Sequence, residues 1–272
     1  MTDKNVNNIP ERTSSMNDAG NGSMQDNDNQ KVVNIEQKSV SRGFYALPNI
    51  ITTGGLFAGF YAIMQSRLGH YEAACIAIYV AMIMDILDGR LARLTNTQTE
   101  FGSQFDSLAD MVSFGMAPAL VIYEWSINGM GKLGGLVAFV YVACAALRLA
   151  RFNASGASED KKFFMGLASP AAAGLVISAM YVCVDYNVSA ELIAPIMCVL
   201  VFSAGILMVS NIKYRSFKDF DVKGRIPFVG LIVLVLLFAA IYFDPPVAFL
   251  LVGASYFLSG LADYVWHNWI RK

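Results

Sequence analysis

Eight apolar segments, each about 20 residues long, occupy most of this sequence from residue 48 onward. A helix needs about 20 apolar residues to cross a hydrocarbon core of about 30 Å, so each segment is a candidate membrane span. We predict spans at residues 48–66, 70–92, 104–124, 133–152, 167–184, 191–210, 226–243 and 246–265. Asp244, Pro245 and Pro246 mark the turn between the last two, which could also form one bent segment.

The composition agrees with this interpretation. Hydrophobic residues make up 56% of the chain, charged residues only 15%, and the mean hydropathy is +0.48. Soluble domains usually contain about a quarter charged residues, which excludes a water-soluble globule. Because short connections make successive helices antiparallel neighbours, we predict an all-α fold, a polytopic transmembrane helix bundle over residues 41–272.

Residues 1–40 differ sharply from the rest of the chain, because they are polar and almost free of aromatic residues. Such a segment buries too little apolar surface to offset the entropy lost on ordering. It also lacks the apolar run of a signal peptide. We therefore predict a disordered N-terminal arm on the cytoplasmic side.

Basic residues are concentrated in alternate connections between the predicted spans, whereas the opposite connections contain little beyond Arg67 and Lys132. Since Lys and Arg prefer short cytoplasmic loops, this bias predicts that both termini and residues 85–110 face the cytoplasm. A bacterial inner membrane is the expected location. In the connections on this side and at the C-terminus, the basic residues are Arg90, Arg93, Arg148, Arg151, Lys161, Lys162, Lys213, Arg215, Lys218, Lys223, Arg225, Arg271 and Lys272.

Four carboxylates lie where the second and third predicted spans meet: Asp85, Asp88, Asp106 and Asp110. Carboxylates at membrane depth are costly and usually pair, bind a ligand or line a polar cavity. Each pair shares one helix face, because the spacings are i, i+3 and i, i+4. A loop of about ten residues can bring the two faces together. Oxygen ligands without His or Cys suit a hard cation, namely Mg²⁺, Mn²⁺ or Ca²⁺.

Small residues and one arginine accompany these carboxylates. Gly89, Ala92 and Gly102 allow a ligand or another backbone to approach closely. Arg93 supplies a planar cation that suits a phosphate. These residues predict a pocket for a phosphorylated ligand beside the cation site.

The combined pattern Asp85-x2-Asp88-Gly89-x2-Ala92-Arg93-x8-Gly102-x3-Asp106-x3-Asp110 resembles the signature of the CDP-alcohol phosphotransferases at every specified position. This resemblance implies two divalent ions, Mg²⁺ or Mn²⁺, with Asp85, Asp88 and Asp106 as ligands. It implies that Asp110 completes the second ion site and acts as the base. It also implies that CMP contacts come from Asn49, Thr52, Gly89, Ala92, Arg93 and Gly102.

Several longer stretches resemble the bacterial and archaeal phosphatidylserine synthases within that family. They include LPNIITTGGLFAGF at 47–60, DSLADMVSFGMAPAL at 106–120 and ALRLARFN at 146–153. This resemblance implies CDP-diacylglycerol as donor, L-serine as acceptor, CMP as product and a homodimer among membrane lipids. We expect Arg148 or Arg151 to recognise the serine carboxylate or a donor phosphate, with Ser113 and Phe114 as weaker candidates for the acceptor site.

Other interpretations compete with these. Arg148 and Arg151 could be membrane-interface anchors, and Asn49 could simply cap the first helix. The same chemistry could use glycerol 3-phosphate or an inositol phosphate as acceptor. A cation or proton transporter would also contain intramembrane carboxylates, although those carboxylates would be expected nearer the midplane. The sequence shows no basic block or zinc spacing that would indicate nucleic-acid binding.

Overall fold

Helices account for most of what the computed structural model describes, which is residues 42–95, 97, 99–155, 163–215 and 228–266. The predicted arm at residues 1–40 lies outside the described residues. So do the basic positions Lys161, Lys162, Lys218, Lys223, Arg225, Arg271 and Lys272.

Nine α-helices are described, and together they cover all eight segments predicted as spans. A π-helical turn, Met111–Met116, joins α3 to α4, so that Glu100–Trp125 runs as one continuous helical rod. A 3₁₀ turn, Ile127–Met130, leads into α5. The helices are α1 (Arg42–Arg67), α2 (Tyr71–Leu94), α3 (Glu100–Asp110), α4 (Ala117–Trp125), α5 (Lys132–Ser155), α6 (Ser169–Asp185), α7 (Ala190–Val209), α8 (Phe228–Phe243) and α9 (Pro245–Val265). The predicted all-α bundle is confirmed.

The outer surface of the bundle is apolar. Large side chains such as Phe57, Ile196 and Val199 are about two-thirds exposed, which suits lipid and not water. Within the described ranges, four helices are long and apolar enough to cross a membrane: Leu47–Arg67, Glu100–Trp125, Lys132–Ala154 and Ala190–Val209. Ser169–Asp185 and Pro245–Gly260 are shorter apolar helices. The chain is an integral membrane protein, and the count of about eight crossings stays a prediction.

Small residues allow the helices of the interior to approach closely. The buried core contains many alanines, including Ala62, Ala74 and Ala117. At the crossing of α1 with the π-helical turn, a Cβ added to Gly59 would lie 2.7 Å from Ser113 Oγ and 2.8 Å from Ser113 Cα. Only glycine at residue 59 therefore permits this helix separation.

A short antiparallel ribbon, which was not predicted, lies beside the helix ends. It is formed by β1 (Phe163–Met165) and β2 (Lys213–Arg215), with Phe164 opposite Tyr214. Arg151 links this ribbon to the end of α7 by hydrogen bonds. Its guanidinium donates hydrogen bonds to the carbonyl oxygens of Val209 (3.2 Å), Met165 (3.3 Å) and Met208 (3.4 Å), and to Asn211 Oδ1 (3.3 Å).

Candidate active site

Three of the four predicted metal ligands converge between α2 and α3. Asp85 and Asp88 from α2 and Asp106 from α3 each offer a carboxylate oxygen, and these atoms lie within 4.8 Å of one another. The connection between the helices is shorter than the ten or so residues predicted. It runs only from residue 95 to 99, because α2 continues to Leu94 and α3 already begins at Glu100.

Thr99 is the N-cap residue of α3, so it determines where the helix starts and therefore which helix face carries Asp106. Its hydroxyl accepts a 2.9 Å hydrogen bond from the Gly102 N–H, the contact expected of an N-cap threonine. A Cβ at residue 102 would lie 3.0 Å from Thr99 Oγ1 and 3.4 Å from Asn49 Oδ1. Glycine at this position therefore lets α3 begin directly against α1.

Asp110, the fourth aspartate, lines the same small cavity as Asp85, Asp88 and Asp106. Asp110 does not belong to the triad of Asp85, Asp88 and Asp106, whose carboxylate oxygens lie close together. Its carboxylate interacts electrostatically with Arg148 of α5. The π-helical turn begins directly after Asp110. Such turns are frequent at functional sites, because they change the direction of side chains within a helix.

Thr52 of α1 contacts the metal-ligand candidates directly. It is buried, and its hydroxyl donates a 2.6 Å hydrogen bond to Asp88 Oδ2. Thr52, which the sequence predicts to contact the nucleotide, therefore also orients the Asp88 carboxylate.

A second cavity of about 300 Å³ adjoins the carboxylates, since Thr52, Asp88 and Asp106 line both spaces. All six residues predicted to contact CMP line it: Asn49, Thr52, Gly89, Ala92, Arg93 and Gly102. Pro48, Thr97, Thr99 and Ser103 also line it and were not singled out from the sequence. The helix-start pattern of a threonine before Glu100 could have pointed to Thr99.

Asn49 does not cap the first helix. Helix α1 begins at Arg42, so Asn49 lies about two turns inside it, and its backbone carbonyl accepts a hydrogen bond from Thr53. Arg93 Nε donates a 2.8 Å hydrogen bond to the Gly89 carbonyl, which leaves the rest of its exposed guanidinium facing the cavity region.

The two arginines considered for the acceptor have different surroundings. Arg148 Nη1 donates to Ser169 Oγ (3.0 Å), and its buried Nε has no hydrogen-bond partner within the described ranges. The hydrogen bonds of Arg151 go to the ribbon and to the end of α7. The geometry therefore favours Arg148 over Arg151 as a ligand-binding residue.

Ser113 and Phe114 lie in the wall of the aspartate cavity, and both are buried. Ser113 donates its hydroxyl proton to the Gly55 carbonyl at 3.1 Å. The Phe114 carbonyl accepts a 3.2 Å hydrogen bond from Tyr141. Both residues therefore shape the cavity chiefly by packing.

The sequence model of the CDP-alcohol phosphatidyltransferase family matches residues 45–203. The chain belongs to this family. The matched range includes the four aspartates, every residue lining the 300 Å³ cavity, and Arg148. The CDP-alcohol phosphatidyltransferase region therefore ends near the end of α7, before β2, α8 and α9.

Curated relatives with similar sequences come from bacteria and archaea. A CDP-diacylglycerol–serine O-phosphatidyltransferase of Helicobacter pylori is 37% identical over 214 residues, which cover 79% of this chain and 88% of that protein. One from Mycobacterium tuberculosis is 32% identical over 204 residues, covering 73% and 71% of the two chains. An archaetidylserine synthase of Methanothermobacter thermautotrophicus is 37% identical over 173 residues, covering 63% and 70%.

The donor set of this CDP-alcohol phosphatidyltransferase fits a divalent cation. Three carboxylates offer oxygens within 4.8 Å of one another, and unpaired negative charges so close would repel strongly. Hard oxygen donors are the ligands that such cations prefer. The triad can hold a metal ion of the kind that the family uses.

Proposed function

We propose that this protein transfers the phosphatidyl group of CDP-diacylglycerol to the hydroxyl of L-serine, giving phosphatidylserine and CMP. Family membership supports the reaction class. The names of the relatives support the acceptor, since they refer to serine whether the lipid is diacylglycerol or archaetidyl. Neither a glycerol 3-phosphate nor an inositol phosphate acceptor has comparable support.

The observation on which the proposal depends most is the shared wall of the two cavities. Asp88 and Asp106 border both the 300 Å³ pocket and the aspartate cavity. A nucleotide in the larger pocket would therefore place its pyrophosphate beside the carboxylates. This is the arrangement that a displacement at phosphorus needs, because reacting groups must be held close and aligned.

The same geometry supports one metal site at the triad, and the family resemblance implies a second ion beside it. Asp85, Asp88 and Asp106 would hold one ion, and Asp110 would complete a second site, with Mg²⁺ or Mn²⁺ as the ion. When bound, such ions polarise the phosphoryl oxygens and stabilise the leaving phosphate. The Thr52 hydroxyl would keep the Asp88 carboxylate in its ligating orientation.

The residues of this chain would then bind, orient and deprotonate the substrates. Arg93 would pair with a donor phosphate, while Asn49, Thr52, Gly89, Ala92 and Gly102 would shape the nucleotide pocket. Asp110 would accept the proton of the serine hydroxyl. The serine oxygen would form the new bond to the β-phosphorus as the bond to the CMP oxygen breaks, and CMP would leave with that electron pair.

Arg148 is the residue that we assign to the serine carboxylate. Its buried Nε–H lacks an acceptor among the described residues, and an unsatisfied buried donor is costly. A carboxylate placed there would satisfy it with a charge-assisted hydrogen bond. Arg148 also interacts with Asp110, so the bound serine would lie beside the base.

Orientation and assembly belong to the same proposal. Arg93, Arg148 and Arg151 lie at one end of the bundle, where Ser107 of α3 donates a 3.1 Å hydrogen bond to Asn153 of α5. We propose that this end faces the cytoplasm, in a bacterial inner membrane, with both termini on the same side. The family resemblance further suggests a homodimer.

The test is CMP release by the full-length protein in detergent, with CDP-diacylglycerol and Mn²⁺ or Mg²⁺, in the presence and absence of L-serine. We expect release that needs both serine and metal and yields phosphatidylserine. Release stimulated by another alcohol but not by serine would refute the acceptor. No release with any acceptor from folded protein would refute the reaction.

A further inference from the structure

The π-helical turn Met111–Met116 divides one helical rod into α3 and α4, and the active-site aspartates of this rod belong to α3. The N–H of Ala117 donates to the carbonyl of Val112, five residues earlier, whereas an α-helix would use the carbonyl four residues earlier. The turn therefore contains about one residue more than an α-helical turn. If it became α-helical, α3 would rotate by about 100° relative to α4. Asp106 and Asp110 would then turn away from the carboxylates of α2.

Pro118 explains why the rod departs from the α-helix at this level. In an α-helix, the carbonyl of Phe114 would accept a hydrogen bond from the N–H of residue 118. Proline has no N–H, and its ring would collide with that carbonyl. The wider turn accommodates the ring but leaves the Phe114 carbonyl without its α-helical donor.

A side chain of α5 supplies a donor in its place. The Tyr141 hydroxyl donates a 3.2 Å hydrogen bond to the Phe114 carbonyl, and both residues are buried. An unsatisfied carbonyl in the interior is costly, so this bond stabilises the π-helical turn. Helix α7 fixes the position of Tyr141, because a Cβ added to Gly205 would lie 3.2 Å from the Tyr141 Cα.

The stabilised turn forms part of the candidate active site. Ser113 and Phe114 line the same cavity as Asp110, which lies about one helical turn before Phe114. Helix α1 holds this turn as well, since the Ser113 hydroxyl donates to the Gly55 carbonyl at 3.1 Å. A displacement of the turn would therefore displace Asp110 with it.

We propose that Tyr141 is a positioning residue for the transfer reaction, whose hydroxyl holds the π-helical turn so that Asp110 faces the other three aspartates. This inference rests on the proposed function, in which Asp110 is the base. Tyr141 is not among the residues that line either cavity. It therefore acts through the backbone of the turn and not through a contact with substrate.

The variant that tests this is Tyr141→Phe, which keeps the ring but removes the hydroxyl. Pro118 remains, so the turn loosens without becoming α-helical. We expect kcat at saturating Mn²⁺ to fall roughly 10- to 100-fold, because a displacement of about 1 Å can reduce catalysis that much. The KM for CDP-diacylglycerol should change less than twofold. The donor pocket is lined by α1, α2 and the part of α3 up to Asp106, well before Phe114.

Tyr79→Phe is the matched control. It removes another tyrosine hydroxyl from inside the bundle, one that lies 2.8 Å from Ser178 Oγ, at a residue that lines neither cavity. We expect Tyr79→Phe to lower the Tm but to leave kcat within twofold of the unmodified protein. A loss of stability alone therefore does not produce the effect expected of Tyr141→Phe.

Pro118→Ala tests the hydrogen bond itself. Alanine supplies an N–H at residue 118 that can donate to the Phe114 carbonyl in place of Tyr141. The decrease in Tm caused by Tyr141→Phe should therefore be smaller in the Pro118→Ala background, a coupling that a double-mutant cycle measures. Equal decreases in the two backgrounds would overturn the role assigned to the hydroxyl.

The kinetic outcomes separate this inference from the proposed function. A fall in kcat for Tyr141→Phe, with the donor KM maintained and no such fall for Tyr79→Phe, supports it. A kcat within twofold of the unmodified protein overturns it, and so does an equal fall in both variants, which indicates a merely structural role. The proposed function itself fails only if the unmodified protein shows no serine-dependent CMP release.

Discussion

Thr52 donates a 2.6 Å hydrogen bond to Asp88 and thereby links α1 to a carboxylate of the metal-binding triad. The same hydroxyl lies 3.0 Å from the Pro48 carbonyl oxygen, but the charged carboxylate at the shorter distance is the stronger acceptor for its single proton. Both residues are buried, so water does not replace this bond easily. Helix α1 therefore contributes to the metal site without supplying a ligand.

Thr52→Val should weaken the site, because valine has the shape of threonine but cannot donate to Asp88. Losing a hydrogen bond that orients a metal ligand typically costs about 10- to 100-fold in metal affinity or activity. We expect the Mn²⁺ concentration for half-maximal CMP release to rise by a factor in that range. Thr53→Val is the matched control, since Thr53 is exposed and its hydroxyl donates to the Asn49 carbonyl one turn earlier instead of to a carboxylate. Equal metal dependence in both variants would contradict the role of Thr52.

Asp106→Asn and Asp110→Asn should impair different steps, namely metal binding and catalysis. Asp106 belongs to the close triad, so its loss should weaken metal binding, measured by isothermal titration with Mn²⁺. Asp110 is assigned as the base, so its loss should lower kcat by roughly 10²- to 10⁴-fold and weaken metal binding less. Asp185→Asn, at the exposed end of α6, should match the unmodified protein. Full activity of Asp110→Asn at saturating metal would disprove the assignment of the base.

The aspartate cluster could be predicted because helical periodicity is local. A spacing of three residues places Asp85 and Asp88 on one face of their helix, and a spacing of four does the same for Asp106 and Asp110. The two faces meet as soon as the short connection between the helices reverses the chain direction. The ribbon could not be predicted in this way. Its strands are three residues each and lie about 50 residues apart in sequence, so their pairing depends on how α5, α6 and α7 pack.

The different roles of Arg148 and Arg151 could not be predicted from the sequence either. Both end α5 on the basic side, and the sequence offers no means of separating them. The structure distinguishes them by their contacts. Arg151 donates hydrogen bonds to the ribbon and to α7, whereas Arg148 donates one to Ser169 and interacts with Asp110. These contacts join residues that are far apart in sequence.

Arg148→Ala and Arg151→Ala should therefore have different effects. Arg148→Ala should raise the KM for L-serine at least tenfold, because a charge-assisted hydrogen bond to the carboxylate is lost. Arg151→Ala should chiefly lower stability, by about 1–3 kcal/mol, since several carbonyl groups would lose their donor. Serine kinetics and thermal unfolding in detergent, measured on both variants, provide the check. If neither variant alters the kinetics, the assignment of the acceptor site is wrong.

Gly59→Ala should destabilise the bundle where α1 crosses the π-helical turn. The added methyl group would lie 2.8 Å from the Ser113 Cα, a backbone atom that cannot rotate away. Overpacking of this kind costs about 1–3 kcal/mol, which thermal unfolding in detergent can measure. Gly54→Ala on the same helix is the control, because its nearest neighbour, Met84 Sδ, would be 3.9 Å away. Equal unfolding temperatures for the two variants would contradict the close crossing.

The orientation of the bundle can be tested by cysteine labelling in intact cells. Asn128 is exposed in the 3₁₀ turn, and Gln104 is exposed on α3 beside the candidate active site, so the two residues mark opposite ends. On a Cys183→Ala background, Asn128→Cys should react with an impermeant maleimide added outside. Gln104→Cys should react only after permeabilisation. The reverse pattern would place the active site outside, where it could not use cytosolic serine, and would refute the proposed topology.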